Sequence, residues 1–115
     1  MFKRDGNFDN VLGDDTWLEA WQGVAGEECG APVAPHDGNG EYTWELDMDN
    51  GMLTINGVGG YVGIPKAVNN GELGNGGTVT GSTEYRVEFN DGNTRMTVDI
   101  EAGPCVGWRF IMEKQ

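Results

Sequence analysis

The chain has 115 residues, a length that predicts a single domain spanning residues 1–115. Nineteen Asp and Glu residues against seven Lys and Arg give a net charge of −12, which disfavours nucleic acids and anionic membranes as partners. No apolar run approaches the roughly 18 residues of a membrane span. Met1 is followed at once by Phe2, Lys3 and Arg4, so no leader is predicted, and we expect a cytosolic chain or a mature or clipped piece of a larger protein.

The chain has two cysteines and one histidine to offer as thiolate and imidazole ligands for zinc. Cys29, Cys105 and His36 are too few for a structural zinc site, so we predict no metal and no other cofactor. Both cysteines lie in segments rich in Gly and Pro, where an oxidising compartment would permit a disulfide. The sequence leaves that bridge open, because it does not fix the distance between the two Cα atoms.

The first predicted element is a short N-terminal strand pair. Phe2 and Phe8 share a face only if residues 4–6 form a three-residue loop with Gly6 in the left-handed conformation. We therefore predict a tight hairpin at the start of the chain.

A second hairpin is predicted over residues 42–56. Apolar and polar residues alternate on its first strand, as expected for a strand with one buried face. The apolar positions of that strand are Tyr42, Trp44, Leu46 and Met48. The Asn-Gly dipeptide at 50–51 predicts a two-residue type I′ turn, which sets Met48 opposite Leu53 and Leu46 opposite Ile55.

Residues 84–101 repeat this pattern around Asp91-Gly92. A two-residue turn there sets Val87 opposite Met96 and Tyr85 opposite Val98. A last strand follows Gly107, with alternate apolar residues on one face. The aromatic residues predicted to lie in the core are Trp44, Tyr85, Phe89, Trp108 and Phe110.

These strands predict an all-β fold. About six to eight antiparallel strands at this spacing form either a small barrel, lipocalin-like and incomplete, or a two-sheet sandwich.

Two long segments, residues 13–40 and 57–81, do not follow the strand pattern. Such loops are uncommon in a small domain unless they bind something or are disordered. Their aromatic, imidazole and charged side chains offer the stacking surface and directional hydrogen bonds that a sugar requires. The predicted carbohydrate-binding residues are Trp17, Trp21, His36, Asp37, Tyr61 and Lys66. The alternative is that Trp17 and Trp21, four residues apart, only hold a turn against the barrel.

Catalysis has weaker support. The single serine, Ser82, lacks the context of a nucleophile elbow. Glycoside hydrolysis needs two carboxylates across a cleft, and the acids available in the loops are Glu19, Asp37 and Glu72. Because an acidic chain contains such pairs by chance, we predict no catalytic residues and keep a small glycoside hydrolase as the alternative.

Several motifs cover nearly the whole chain: FKRDGNFDNVLGDDTWLEAWQG, CGAPVAPHDG, LTINGVGGYVGIPKAVNNGEL, and MTVDI followed by GWRF. With these motifs the chain resembles small β domains of secreted proteins from marine and other Bacteroidetes-type bacteria and proteobacteria. Such domains are often appended to laminarinase-like β-glucanases. The resemblance implies an extracellular or periplasmic, non-catalytic accessory domain that recognises or attaches to a polysaccharide of the β-glucan type. It carries over no catalytic residues.

The chain departs from that family at its N-terminus. The family domain begins earlier, with a Trp-containing strand, so we expect this chain to lack one strand of the full domain. A missing strand leaves an open edge of unpaired N–H and C=O groups. We therefore predict a homodimer, formed by edge pairing or by exchange of the N-terminal hairpin. A scaffold or dimerisation module without a ligand is the third functional alternative.

Overall fold

The computed structural model describes residues 1–90 and 92–114, and within them the chain consists of short and long β-strands joined by loops. The strands are β1 (Asn7–Phe8), β2 (Thr16–Leu18), β3 (Glu28–Gly30), β4 (Tyr42–Asp47), β5 (Met52–Asn56), β6 (Ala67–Val68), β7 (Gly71–Glu72), β8 (Ser82–Asn90), β9 (Arg95–Gly103) and β10 (Val106–Glu113). The helical part of the described chain is one 3₁₀ turn, Ala20–Gln22.

Six strands form one antiparallel sheet in the order β1-β4-β5-β8-β9-β10. Two small sheets, β2-β3 and β6-β7, lie in the long loops that precede and follow the β4–β5 hairpin. The all-β prediction is confirmed. Within the described residues β1 and β10 do not pair, so the sheet stays open rather than closing into a barrel, and the architecture is compatible with a sandwich.

The core lies on one face of this sheet. Its buried members are Phe8, Tyr42, Leu53, Ile55, Val62, Ala67, Tyr85, Val87, Val98 and Ile100. Tyr85 is fully buried, and its hydroxyl accepts a hydrogen bond of 3.0 Å from the Val62 N–H, which fastens the loop after β5 over the sheet. The other aromatic residues predicted for the core are half-buried and pack against this cluster: Trp44, Phe89, Trp108 and Phe110.

The N-terminal hairpin forms as predicted. Phe2 and Phe8 are bridge partners with ring centroids 5.0 Å apart, and Gly6 has φ +90°. The ring of Trp44 meets Phe2 edge-on, and its Nε1 donates to the Lys3 carbonyl over 2.8 Å. The hairpin is thus fastened to β4.

The predicted register of the β4–β5 hairpin is wrong by two residues. Leu46 lies opposite Leu53, and the loop has four residues rather than two. The physical reason is Asp47, whose Oδ1 accepts the N–H groups of Asp49 and Asn50 while its Oδ2 accepts the Asn50 amide. Met48 is consequently in the turn and 67% exposed.

The second long hairpin shows the same shift. Val87 lies opposite Val98 and Phe89 opposite Met96, again with a four-residue connection. Asp91, half of the predicted turn, lies outside the described residues. A shift of two residues preserves the face of every side chain that stays in a strand, so the predicted inner residues still point inward, except Met48 in the first turn.

Strand β8 serves two ladders in succession. Residues 82–86 pair with β5, whereas residues 86–90 pair with β9. Before Arg86 the strands β8 and β9 therefore diverge, and the turn of the β6–β7 hairpin lies between them. Asn69 binds both backbone groups of Glu84 at 2.8 Å, and the Asn70 N–H donates to the Glu101 carbonyl over 3.3 Å.

Both cysteines are free and exposed, Cys29 on β3 and Cys105 in the β9–β10 turn. No helix in the described chain is long and apolar enough to cross a membrane.

Candidate functional site

Four of the six predicted carbohydrate-binding residues come together in what we call the loop cluster, with Glu19 as the fifth member. The His36 ring lies between Trp21 and Tyr61, with edge-on contacts at centroid distances of 5.7 and 5.9 Å. Trp21 Nε1 donates to Glu19 Oε2 over 2.6 Å, and Lys66 Nζ lies 3.6 Å from Glu19 Oε1. The chain of contacts runs from Tyr61 to Lys66 without interruption.

Local sequence explains how Glu19 is placed. Glu19 caps the 3₁₀ turn, and its own backbone N–H donates to the Gln22 side chain over 3.0 Å. The turn ends at Gly23, whose φ of +92° is left-handed and suits a residue without Cβ. Trp21 is thereby presented inward, where it packs on Gly74: a Cβ at Gly74 would lie 2.9 Å from the indole.

Much of the loop cluster is closed to a ligand. His36 is 5% exposed and Tyr61 9% exposed. Burial lowers the pKa of His36, although the charge of Asp37 opposes this, and burial raises the pKa of Tyr61. Both groups are thus held neutral at pH 7, and their contacts hold the loops together. The structure brings the two rings into contact in the interior rather than at the surface.

Trp17 and Asp37 do not join the loop cluster. Trp17 lies on β2 opposite Cys29 and is 54% exposed. Asp37 closes a turn by accepting the backbone N–H and the side-chain amide of Asn39, each over 3.1 Å. These hydrogen bonds, the backbone one first, lower the pKa of Asp37.

A groove that sequence reasoning missed lies where β8 and β9 diverge; we call it the sheet groove. It has a volume of about 530 Å³. Its lining residues are Met52, Asn69, Glu84, Arg86, Asp99, Ile100, Glu101, Cys105, Val106, Gly107, Trp108 and Arg109. Most of the charged lining residues lie at alternate positions of β8, β9 and β10. This alternation predicts a solvent-exposed face of a sheet, and it does not reveal that β8 and β9 diverge.

The polar lining of the sheet groove is held in place. Arg109 makes a bidentate pair with Asp99, Nε to Oδ1 over 2.7 Å and Nη2 to Oδ2 over 2.9 Å. The Arg109 hydrogen bond holds the pKa of Asp99 below its ordinary value. Asn69 is fixed by its two bonds to the Glu84 backbone.

Trp108 joins the sheet groove to the loop cluster. Its Nε1 donates to Glu72 Oε1 over 2.7 Å, and Lys66 Nζ lies 5.2 Å from the centroid of its ring. A carboxylate and an ammonium group therefore fix the orientation of an indole that lines the groove. Because Lys66 also contacts Glu19, the loops determine the orientation of a groove residue.

The three carboxylates considered for hydrolysis occupy different settings. Glu19 and Glu72 each accept an indole N–H, whereas Asp37 is part of its own turn. Among the residues that the structure describes, no three His, Cys, Asp or Glu side chains are grouped so that they could hold a metal ion.

Comparison of the chain with protein-family models, with curated proteins and with solved structures finds no match. The interpretation of the site therefore depends on its own geometry and chemistry.

Proposed function

We propose that this chain is a non-catalytic β domain that binds polysaccharide, and that the sheet groove is its binding surface. The observation that carries the proposal is the composition of that groove: one indole ring and several aliphatic groups beside carboxylate, guanidinium and amide side chains. A pyranose ring presents the complementary surface, with an apolar face for stacking and hydroxyl groups for directional hydrogen bonds.

The charge balance favours a neutral polysaccharide. The chain carries a net charge of −12, which repels a sulfated or uronate-rich polymer over distances set by ionic strength. Glu84 and Glu101 add acceptors for sugar hydroxyl groups, and Arg86 adds donors. A neutral glucan of the β-linked type would complement this lining. The family resemblance implies the same ligand class and an extracellular or periplasmic location.

Pre-organisation supports the groove over the loop cluster as the contact surface. The Asp99–Arg109 pair and the Asn69 amide are already fixed by hydrogen bonds, so little side-chain freedom is lost when a ligand binds. In the loop cluster, by contrast, His36 and Tyr61 are buried and would have to be exposed first.

Within the groove, the lowered pKa of Asp99 suits binding better than acid catalysis by this residue. A glycosidase needs one carboxylic acid whose pKa is raised, so that it stays protonated and donates to the leaving oxygen. Asp99 is instead stabilised as an anion, which suits an acceptor of hydrogen bonds from sugar hydroxyl groups.

Affinity gel electrophoresis in laminarin and in other soluble polysaccharides tests the proposal. We expect neutral β-glucan to retard the protein and acidic polysaccharides to leave its mobility unchanged. Glu101→Gln and Glu84→Gln should each weaken binding about two- to tenfold, the equivalent of one hydrogen bond. Glu88→Gln is the matched control, because Glu88 lies on the same face of β8 but outside the groove.

Two outcomes would contradict this proposal. If no polysaccharide retards the protein, the domain is a scaffold rather than a binding module. If Trp17→Ala abolishes retardation while Glu101→Gln has no effect, the contact surface is the exposed β2–β3 ribbon and not the sheet groove.

A further inference from the structure

Strand β10 is an edge strand with one paired side. Its eight residues, Val106–Glu113, pair with β9. On its other side the described chain supplies no strand. The opposite end of the sheet is different, because β1 covers part of β4 and is itself only two residues long. The longest row of backbone groups available for pairing therefore belongs to β10.

The side chains of β10 do not protect this edge well. Natural edge strands are commonly blocked by Lys, Pro, inward charges or a bulge in mid-strand. Here the bulge is confined to the start, between Val106 and Gly107, and residues 108–113 pair regularly with β9. Ile111 lies near the middle of this regular part, on the outer face, and is 64% exposed. It is an apolar residue where a blocked edge would carry a charge.

We infer that two copies of this chain pair antiparallel through their β10 edges, with the twofold axis at Ile111. This register sets Ile111 against the same residue of the second copy. Arg109 of each copy then lies directly opposite Glu113 of the other, giving two opposite-charge pairs on the outer face. On the inner face Phe110 lies opposite Met112, a favourable aromatic–sulfur pairing.

Charge and face select this register among the alternatives. A twofold axis between two residues would pair inner with outer side chains, which an open sheet with one apolar face disfavours. Centres at Arg109 or Glu113 bring two like charges together, and a centre at Phe110 sets Arg109 against Ile111. The centre at Ile111 alone pairs both charges with opposite ones.

The pairing has a consequence for the sheet groove. A twofold axis perpendicular to the sheet keeps the same face of both copies on the same side. The two grooves, each lined by Arg109, would lie side by side on one continuous sheet. The dimer itself requires no ligand, so its test is independent of polysaccharide binding.

Disulfide trapping tests the register directly. In a Cys29→Ser/Cys105→Ser background, Ile111→Cys should form a covalent dimer under mild oxidation, because residues facing each other across a strand pair lie about 4.5–5.5 Å apart. Arg109→Cys is the matched control. Its two copies would be four residues apart along the pair, about 14 Å, and should not crosslink. Equal crosslinking of both variants, or none of Ile111→Cys, would overturn the inference.

Charge exchange gives a second readout, by sedimentation equilibrium between 10 and about 200 µM. Arg109→Glu and Glu113→Arg should each weaken the dimer about tenfold, since each turns two opposite-charge pairs into like-charge pairs. The double variant should regain the wild-type dissociation constant. Within one copy of the double variant, residue 109 still repels Asp99 and residue 113 still repels Arg95, because each pair now carries like charges. Recovery of the dimer would therefore come from the pairs between copies and not from the pairs within one copy. A monomeric wild-type protein throughout this range, or absence of rescue, would contradict the inference.

Ile111→Lys adds a check on folding. The residue is exposed, so the circular dichroism spectrum should stay unchanged, as should the melting temperature measured at concentrations where the wild-type protein is monomeric. Two like charges meet at the axis, so the dimer should dissociate. Met48→Lys, an exposed apolar residue in the β4–β5 turn, should leave the dimer intact. If both variants dissociate the dimer equally, the contact between copies is a non-specific apolar one, and the proposed register centred on Ile111 is wrong.

Discussion

The side-chain amide of Asn69 takes the place of a strand neighbour for Glu84. Its Nδ2 donates to the Glu84 carbonyl and its Oδ1 accepts from the Glu84 N–H, both over 2.8 Å. One side chain thus satisfies both groups of a residue that β9 no longer reaches.

Removal of this amide should destabilise the fold. We expect Asn69→Ala to lower the free energy of unfolding by about 1–3 kcal/mol, because two backbone groups of β8 lose their partner. Asn69→Asp should recover only part of this, since the carboxylate keeps the acceptor but faces the Glu84 carbonyl. Urea denaturation measures both. Asn75→Ala, which removes one long contact to Glu72, should change stability by less than about 0.5 kcal/mol. Equal effects at positions 69 and 75 would contradict the bridging role.

Gly59 is expected to be the most sensitive glycine to substitution. It has φ +89°, and a Cβ there would lie 1.8 Å from the Pro35 carbonyl oxygen. Gly59→Ala should therefore cost about 3 kcal/mol or more, the sum of left-handed strain and overpacking. Gly76→Ala is the control, because φ is +95° but no atom lies within 4 Å, so it should cost only about 1–2 kcal/mol of backbone strain. Thermal unfolding of the two variants separates the cost of overpacking from the cost of backbone strain. Similar losses of stability in both variants would contradict the close approach of Gly59 to the Pro35 carbonyl.

His36 should make stability fall as the pH drops below about 7. Burial lowers its folded-state pKa below the ordinary value of about 6.5, so the unfolded chain takes up a proton that the folded chain does not. As the pH falls below 6.5, the free energy of unfolding should drop by at most about 1.4 kcal/mol per pH unit, until the folded-state pKa is reached.

His36→Phe keeps the ring contacts with Trp21 and Tyr61 but cannot titrate. Its free energy of unfolding should fall less steeply than that of the wild-type protein, as measured by urea denaturation at pH 5, 6 and 7.5. The Met1 amino group, whose pKa burial lowers from about 8, contributes the same slope to both proteins. The pKa values of Asp37 and Asp99 are lowered on folding, so these carboxylates stabilise the fold at neutral pH. That stabilisation is lost only below the pKa of the unfolded carboxylate, near pH 4, which lies outside this range. The same pH slope in both proteins would rule out the buried imidazole as its source.

Tyr85→Phe should cost about 1–3 kcal/mol, because the buried Val62 N–H loses its acceptor. Tyr42→Phe removes a similar bond to the Gly40 N–H, but Gly40 is exposed and water can replace the hydroxyl, so we expect a smaller loss. Burial raises the pKa of Tyr85 to about 12. The wild-type protein should therefore lose stability as the pH rises above 10, where the unfolded tyrosine ionises first, and Tyr85→Phe should lose less.

The strand pattern of the sequence was sufficient to predict the faces of the sheet but not its registers. Face depends on the parity of a position, which alternation reveals directly for Leu46, Tyr85 or Val98. Register depends on turn length, and here Asp47 stabilises a four-residue turn by accepting the N–H groups of Asp49 and Asn50. That side-chain bond competes with the Asn-Gly preference, and the dipeptide alone does not show which prevails.

The candidate site was predicted in part for a related reason. Composition located aromatic and polar residues in the loops, and Trp21, His36, Tyr61 and Lys66 do meet. Whether they face solvent depends on long-range packing, which composition does not contain. The sheet groove was missed because it arises from divergence of two strands, and Asn69, the residue that fills the gap, lies fifteen positions from its partner.

The two successive ladders of β8 make this strand the sole link in the sheet between the half that carries β1, β4 and β5 and the half that carries β9 and β10, among the residues described. Neither half of the sheet can separate from the other unless β8 loses its hydrogen bonds to one of them. The β8 amides that donate to β5 or β9 should therefore exchange with solvent only when the whole domain unfolds, which makes the cooperativity of the molecule a property of one strand.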